Sequence, residues 1–165
     1  MNGVIVRVSI SEGGIPNHAI AQGDVTLSGL AGDGWRHPGI HGGPRRAILL
    51  MTAEAIEELA AQGFPVSYGS LGENFTTRGL DRRAFRLGQR FAVGEAIIEL
   101  TLVRPPCGTL DVYGASIQSA MCDLRSIKGD PTSPLWGMSG FYARVLEPGR
   151  VRADDPITLL DNPSG

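Results

Sequence analysis

The sequence has little cysteine, few aromatic residues and no surplus of either charge. Its two cysteines, Cys107 and Cys122, are too few for a disulfide framework and lack the paired spacing of a zinc site. In a reducing compartment they are expected to remain free thiols. Fifteen Lys and Arg against 17 Asp and Glu leave a formal charge of -2 at pH 7, with no basic stripe of the kind that follows a phosphate backbone. Nucleic acid is therefore not an expected partner. No apolar run approaches the roughly 20 residues that span a bilayer. The opening Met1-Asn2-Gly3-Val4 lacks the charged and apolar regions of a signal peptide. No membrane association is expected, and the expected location is the cytoplasm. The chain also has no cysteine set for an iron–sulfur cluster and no nucleotide-binding glycine fingerprint.

Glycine, by contrast, is abundant at 23 residues, and 11 prolines add to it. Punctuation this dense favours short strands joined by tight turns over a helical bundle. A length of 165 residues suits one domain, 1–165, with its core over about 4–160 and a tail over 161–165. Alternating apolar residues predict a first strand over Val4 to Ile10, followed by an extended loop at Ile15-Pro16-Asn17-His18-Ala19. A second strand is expected over Asp24 to Leu30, then an exposed loop from Ala31 through Gly39. Ala47 to Met51 reads as a short buried strand. Thr52 then caps the clearest helix, Ala53 to Gln62, with Gly63 as its stop and Met51 and Ile56 spaced as a hydrophobic staple. A second helix is expected over Ala115 to Arg125, with Ile117, Ala120, Met121 and Leu124 on one face and Cys122 as a structural residue beside it. Phe141 to Glu147 has strand propensity, and Val151 with Ile157 to Leu160 is expected to form a terminal hairpin-like unit. The sum is a mainly β chain with about two to three helices, most economically a closed or nearly closed β-barrel.

The chemistry centres on one thiol. Glu95 to Val103 reads as a largely buried strand, and it stops at Arg104-Pro105-Pro106-Cys107-Gly108. Two successive prolines lack backbone donors and have fixed φ, so they cannot continue a central ladder and they hold the next residue on a stiff extended loop. Cys107 is presented on that loop. Arg104 is a permanent charge close by in sequence and would favour thiolate, the form that attacks carbon or sulfur and binds soft metals. Other segments invite a ligand too. In His41-Gly42-Gly43-Pro44-Arg45-Arg46 the glycine pair lets backbone approach a ligand, and the arginines supply anion-binding forks. Glu73 and Asn74 follow Gly72 and either orient a ligand or bond their own turn.

Taken in order, His41-Gly42-Gly43-Pro44, Gly72-Glu73-Asn74, Arg104-Pro105-Pro106-Cys107 and Gly140-Phe141-Tyr142-Ala143-Arg144-Val145 resemble the MOSC family, named after the C-terminal domain of molybdenum-cofactor sulfurases, in its small stand-alone bacterial form. The resemblance implies a pyruvate-kinase-type β-barrel, with the Cys of the Pro-Pro-Cys element as its functional residue. It implies binding of the pterin-based molybdenum cofactor, sulfur handling, or reduction of N-hydroxylated bases. Carried across, Cys107 would ligate molybdenum or carry sulfur, His41, Gly42 and Gly43 would line the site, and Arg46 and Arg104 would hold the cofactor's phosphate. Glu73 and Asn74 would position the pterin or support the Cys107 loop. Two positions depart from the family pattern. Asn17 stands in Gly14-Ile15-Pro16-Asn17 where a Lys is common, which removes one expected cation, and Ala153-Asp154 replaces a Gly-Asp.

The leading expectation is thus a molybdenum-cofactor protein reducing N-hydroxylated small molecules. In it the metal, held by Cys107, accepts oxygen from the substrate, and a separate protein electron donor is needed. The alternative is a sulfur carrier that receives a persulfide on Cys107 from a cysteine desulfurase. A Cys-His hydrolase using Cys107 and His41, or an interaction module with an inert thiol, would be the remaining readings.

Overall fold

The computed structural model describes residues 1–34 and 43–162. Among the described residues there are eleven strands, interrupted by short helical segments: β1 (Asn2–Ile10), β2 (His18–Ile20), β3 (Gln22–Thr26), β4 (Gly29–Leu30), β5 (Ile48–Thr52), β6 (Phe75–Arg78), β7 (Arg90–Val93), β8 (Ala96–Val103), β9 (Phe141–Glu147), β10 (Gly149–Arg152) and β11 (Pro156–Asp161). The α-helices among the described residues are α1 (Ala53–Ala61), α2 (Ile117–Met121) and α3 (Leu124–Ile127).

Strand β11 pairs with β7 on one side and β1 on the other, so β1, β11, β7, β8, β9, β5 and β6 form a closed ring. The expected barrel is present. Closure leaves these strands without the free edges that invite aggregation. Every pairing around the ring is antiparallel except β5 with β6. A parallel pair needs a crossover, and α1 lies within it. Thr52 starts that helix as expected, its Oγ1 accepting from Ala55 N at 3.1 Å. Met51 and Ile56 are both buried in one apolar cluster, as the staple spacing implies.

Side chains alternate across the wall, and this alternation divides the apolar residues into two bodies. Ile48, Leu50, Phe141, Ala143 and Val145 point inward, where they join Phe75, Phe85, Phe91 and Trp136. Phe85 meets Phe91 and Phe141 edge to face at 5.5 and 5.4 Å between centroids, the arrangement that aromatic quadrupoles favour. A second cluster lies outside the ring. Met51, Ile56, Leu59, Leu71, Leu110, Ile117 and Met121 pack there between the wall, α1 and α2.

Four local expectations are corrected. His18 and Ala19 are not loop but part of β2, pairing with Ile10 and Ser9 of β1. The stretch Asp24 to Leu30 is two strands, because the chain turns back at Leu27 and Ser28 and Gly29, at φ 124°, starts β4 opposite Thr26 of β3. The helix expected over Ala115 to Arg125 is broken. Cys122 is extended, and Asp123 opens a new helix by accepting from Ser126 N at 2.8 Å while Ser126 Oγ accepts from Asp123 N. That reciprocal cap outcompetes continuation, and it turns Leu124 to solvent, away from the buried face it was expected to share. Finally, β10 and β11 do not form a hairpin: β10 pairs with β3 in a small separate sheet, while β11 closes the barrel and extends through Asp161. Cys122 does pack against both apolar clusters, in keeping with its structural reading.

Candidate functional site

A cavity of about 100 Å³ lies against the outer face of the barrel wall. Its position follows from strand alternation. Leu49 and Tyr142 are register partners on β5 and β9, both line the cavity, and both project opposite to the inward residues Leu50 and Phe141. Cys107, Thr109 and Leu110 border it from the loop after β8, Gly14, Ile15 and Asn17 from the loop after β1, and Gly72 and Asn74 from the approach to β6. Asp33, Gly34, Arg46, Leu71 and Arg104 complete the lining.

The thiol sits where the proline pair puts it. After β8 ends at Val103, Arg104 N makes one more bond, to Gly140 O at 3.0 Å, and the chain then leaves the sheet. Cys107 is extended at φ -126°, its carbonyl accepts from Leu110 N at 3.1 Å to open a short 3-10 turn, and its side chain is partly exposed. Gly140 is indispensable to this anchor. Its φ is 86°, and a Cβ there would lie 2.6 Å from Leu50 O.

Arg104 is 7 % exposed and is spent largely on structure. Its Nη2 donates to Leu71 O at 2.7 Å and its Nη1 to Ser139 O at 3.3 Å, while its own carbonyl accepts from Ser139 Oγ at 2.7 Å. The guanidinium therefore ties the base of the Cys107 loop to the cavity wall at Leu71 and to the turn before β9 at Ser139. Arg46 stands over the Tyr142 ring, with the guanidinium carbon 5.2 Å from the centroid, a cation–π distance.

Asn74 is fully committed. Its Oδ1 accepts from Leu49 N at 2.9 Å, and its Nδ2 donates to Ser9 O at 3.2 Å and to Asp33 Oδ2 at 2.8 Å. Asp33 Oδ1 also accepts from Ser11 N at 2.9 Å. Burial pushes the Asp33 carboxyl above the ordinary aspartate range, against the opposing pull of the Ser11 and Asn74 bonds and the nearby His18. Glu73 is wholly buried beside this network and does not line the cavity. Its Oε2 accepts from Gly69 N at 2.8 Å and Thr76 Oγ1 at 3.2 Å, whereas Oε1 has no partner. Burial raises its carboxyl above the usual glutamate range, against the pull of the Gly69 and Thr76 hydrogen bonds.

The structure thus brings Cys107, Arg46, Asn74 and Arg104 to one cavity and places Glu73 behind it. Gly43 is exposed at φ 101°, and a Cβ there would meet nothing within 4 Å, so its backbone conformation and not crowding is what calls for glycine. His41 and Gly42 lie outside the described residues. Asn17, where a cation was expected, is buried and bonded: Nδ2 donates to Gly72 O and Glu73 O, and its N–H to Gly69 O. Asp33 and Tyr142 were not singled out as site residues from sequence. The signal for Asp33 was faint, one carboxylate between two glycines in a turn-rich loop.

Comparison with known proteins agrees with this architecture. The model of the MOSC domain family matches residues 37–158. The chain is 31% identical over 132 residues to the uncharacterized protein YflK of Bacillus subtilis, covering 78% of this chain and 54% of that one. It is 29% identical over 144 residues to protein YiiM of Escherichia coli, covering 85% of this chain and 60% of the relative. A protein named reductase from Gibberella moniliformis is 24% identical over 143 residues, which is 84% of this chain but 24% of the relative. The crystal structure of YiiM from Escherichia coli superposes with a TM-score of 0.74 at 25% identity, over 100% of this chain and 72% of that one. The chain therefore spans little more than half the length of the first two curated relatives. With a family model matched across most of its length and the expected barrel beneath it, the chain belongs to the MOSC domain family.

Proposed function

We propose that this protein binds a molybdenum cofactor through Cys107 and reduces N-hydroxylated small molecules. The observation that carries this reading is a partly exposed thiol bordering the same cavity as Arg46 and Arg104. Thiolate is a soft ligand suited to such a metal, and cationic side chains suit the anionic portion of a pterin cofactor. Cys107 offers a single donor of this kind: among the described residues no group of three or more His, Cys, Asp or Glu is placed to hold a metal ion by itself. The volume of about 100 Å³ suits a metal centre with its nearest ligands, being smaller than the roughly 300–1,000 Å³ of pockets that enclose a whole drug-sized ligand.

In this reading each residue has a distinct task. Cys107 holds the metal, and Arg46 contributes positive charge at the cavity wall. Arg104 braces the loop through Leu71 and Ser139. Asn74 and Glu73 support the wall through β1, β5 and the turn at Gly69. When bound, the cofactor supplies the electron pair that reduces the N–OH group. A separate electron-transfer protein replenishes it.

The test is turnover. Protein produced in a host that makes the cofactor, supplied with a reductant, is expected to convert an aryl amidoxime to the amidine, and Cys107→Ala to lose that activity. Failure of loaded wild type to reduce the probe contradicts the proposal. The partial exposure of the thiol also favours one second reading, a sulfur carrier loaded by a cysteine desulfurase. In that case the intact mass of cofactor-free protein rises by one sulfur atom at Cys107 after incubation with a persulfide donor.

A further inference from the structure

We infer that Asp33 is the proton donor of this site, a role that rests on the reductase reading above. The residue meets three physical requirements of a positioned acid. It lines the same cavity as Cys107. Its carboxyl is fixed on both oxygens, by Ser11 N–H at 2.9 Å and Asn74 Nδ2 at 2.8 Å, so its orientation is set before substrate arrives. The groups that fix it are themselves locked into the barrel, because Asn74 also bonds Leu49 and Ser9 on two different strands. A carboxylate oxygen accepts more than one hydrogen bond, so each oxygen keeps capacity for a proton or a substrate after these contacts.

The surroundings shift the carboxyl toward its acid form. Burial raises its ionisation above the ordinary aspartate range, against the Ser11, Asn74 and Gly34 hydrogen bonds and His18 on β2, which favour the carboxylate. Among the described residues, the other ionisable groups lining the cavity are Arg46 just before β5, Arg104 just after β8, Tyr142 on β9, and Cys107 itself. An acid poised closer to neutrality than an ordinary aspartic acid is better matched to donating a proton at physiological pH.

The balance of the reaction requires protons, and Asp33 is placed to supply one. Converting N–OH to N–H and water breaks the N–O bond and consumes two protons and two electrons. The electrons come from the cofactor, recharged by the separate protein donor. One of the two protons passes from Asp33 to the oxygen on its way to water, and the other comes from solvent. Asp33, left as carboxylate, regains its proton from water before the next turnover. Cys107 holds the metal and takes no proton in this scheme.

The experiment compares wild type, Asp33→Asn and Asp33→Glu, all cofactor-loaded and matched for molybdenum content, with an aryl amidoxime as probe. Asp33→Asn is expected to lower kcat by about 100-fold or more with a small change in KM, and Asp33→Glu to restore part of the loss. Wild-type kcat should fall as pH rises through the carboxyl's ionisation, and Asp33→Asn should lack that limb. A readout independent of turnover is the ¹³C signal of the Asp33 carboxyl in cofactor-free protein, expected to titrate above ordinary aspartates and to vanish in Asp33→Asn. Wild-type rates in Asp33→Asn, or titration of Asp33 in the ordinary range, overturn the assignment while leaving the reductase reading intact. Loaded wild type with no activity overturns both.

Discussion

Asn74 Nδ2 donates to Asp33 Oδ2 at 2.8 Å, so a residue just before β6 joins Ser11 N–H in fixing a carboxyl 41 positions earlier in the chain. The same amide closes the gap between β1 and β5 by bonding Ser9 O and Leu49 N. One side chain therefore joins the barrel wall to the cavity lining.

Asn74→Ala removes all three contacts and leaves a buried amide N–H and a buried carbonyl unpaired. Leaving such groups unsatisfied costs on the order of 1–3 kcal/mol each, so a net loss of about 2–4 kcal/mol in unfolding free energy is expected by urea denaturation. Asn74→Asp is expected to behave differently with pH. Two carboxyls at that separation cannot both ionise, so the folded state retains a proton that the unfolded chain releases. Its stability should decline, relative to wild type, as pH rises above the ordinary carboxylate range.

Glu73 gives a second pH signature. Its folded-state ionisation is raised by burial, so the folded protein holds a proton that the unfolded chain gives up in the ordinary glutamate range. The sign follows directly: this residue's contribution is most favourable below that range and diminishes as pH rises toward the folded-state value. Glu73→Gln cannot ionise and retains an oxygen for Gly69 N–H. Its stability relative to wild type should therefore increase with pH, as measured by thermal unfolding at a series of pH values. A difference that is flat across the series contradicts a protonated Glu73.

Arg104→Lys tests whether positive charge or the fork geometry matters at this position within the fold. A lysine ammonium cannot span Leu71 O and Ser139 O as the planar guanidinium does. A loss of about 2–4 kcal/mol in urea denaturation is expected, because a buried carbonyl loses its charged donor. Wild-type stability in Arg104→Lys would show that charge alone suffices.

The sequence was most informative where local chemistry and tertiary packing agreed. Thr52 caps α1, and the Pro105-Pro106 pair ends β8 and presents Cys107, because caps and prolines act through nearest neighbours. The barrel was legible from the density of short apolar runs. Reading failed where distant partners decide. His18 and Ala19 look like loop until β1 pairs with them, and β11 closes the barrel with β1 and β7 although its nearest strand in sequence is β10. The break after Met121 was local but weakly marked, since Asp123 and Ser126 lack the Glu or Gln of the commoner capping box. Within the site, Cys107, Arg46, Asn74 and Arg104 do share one cavity, whereas the place of Asp33 depends on Asn74 and Ser11 reaching it from other segments.

The most direct measurement is the molybdenum content, by elemental mass spectrometry, of wild type and Cys107→Ala purified from a host that makes the cofactor. Near-stoichiometric metal in wild type, with loss in a variant that still unfolds cooperatively near the wild-type temperature, is the predicted result. Equal molybdenum in both proteins, or none in either, would contradict a metal held by this thiol.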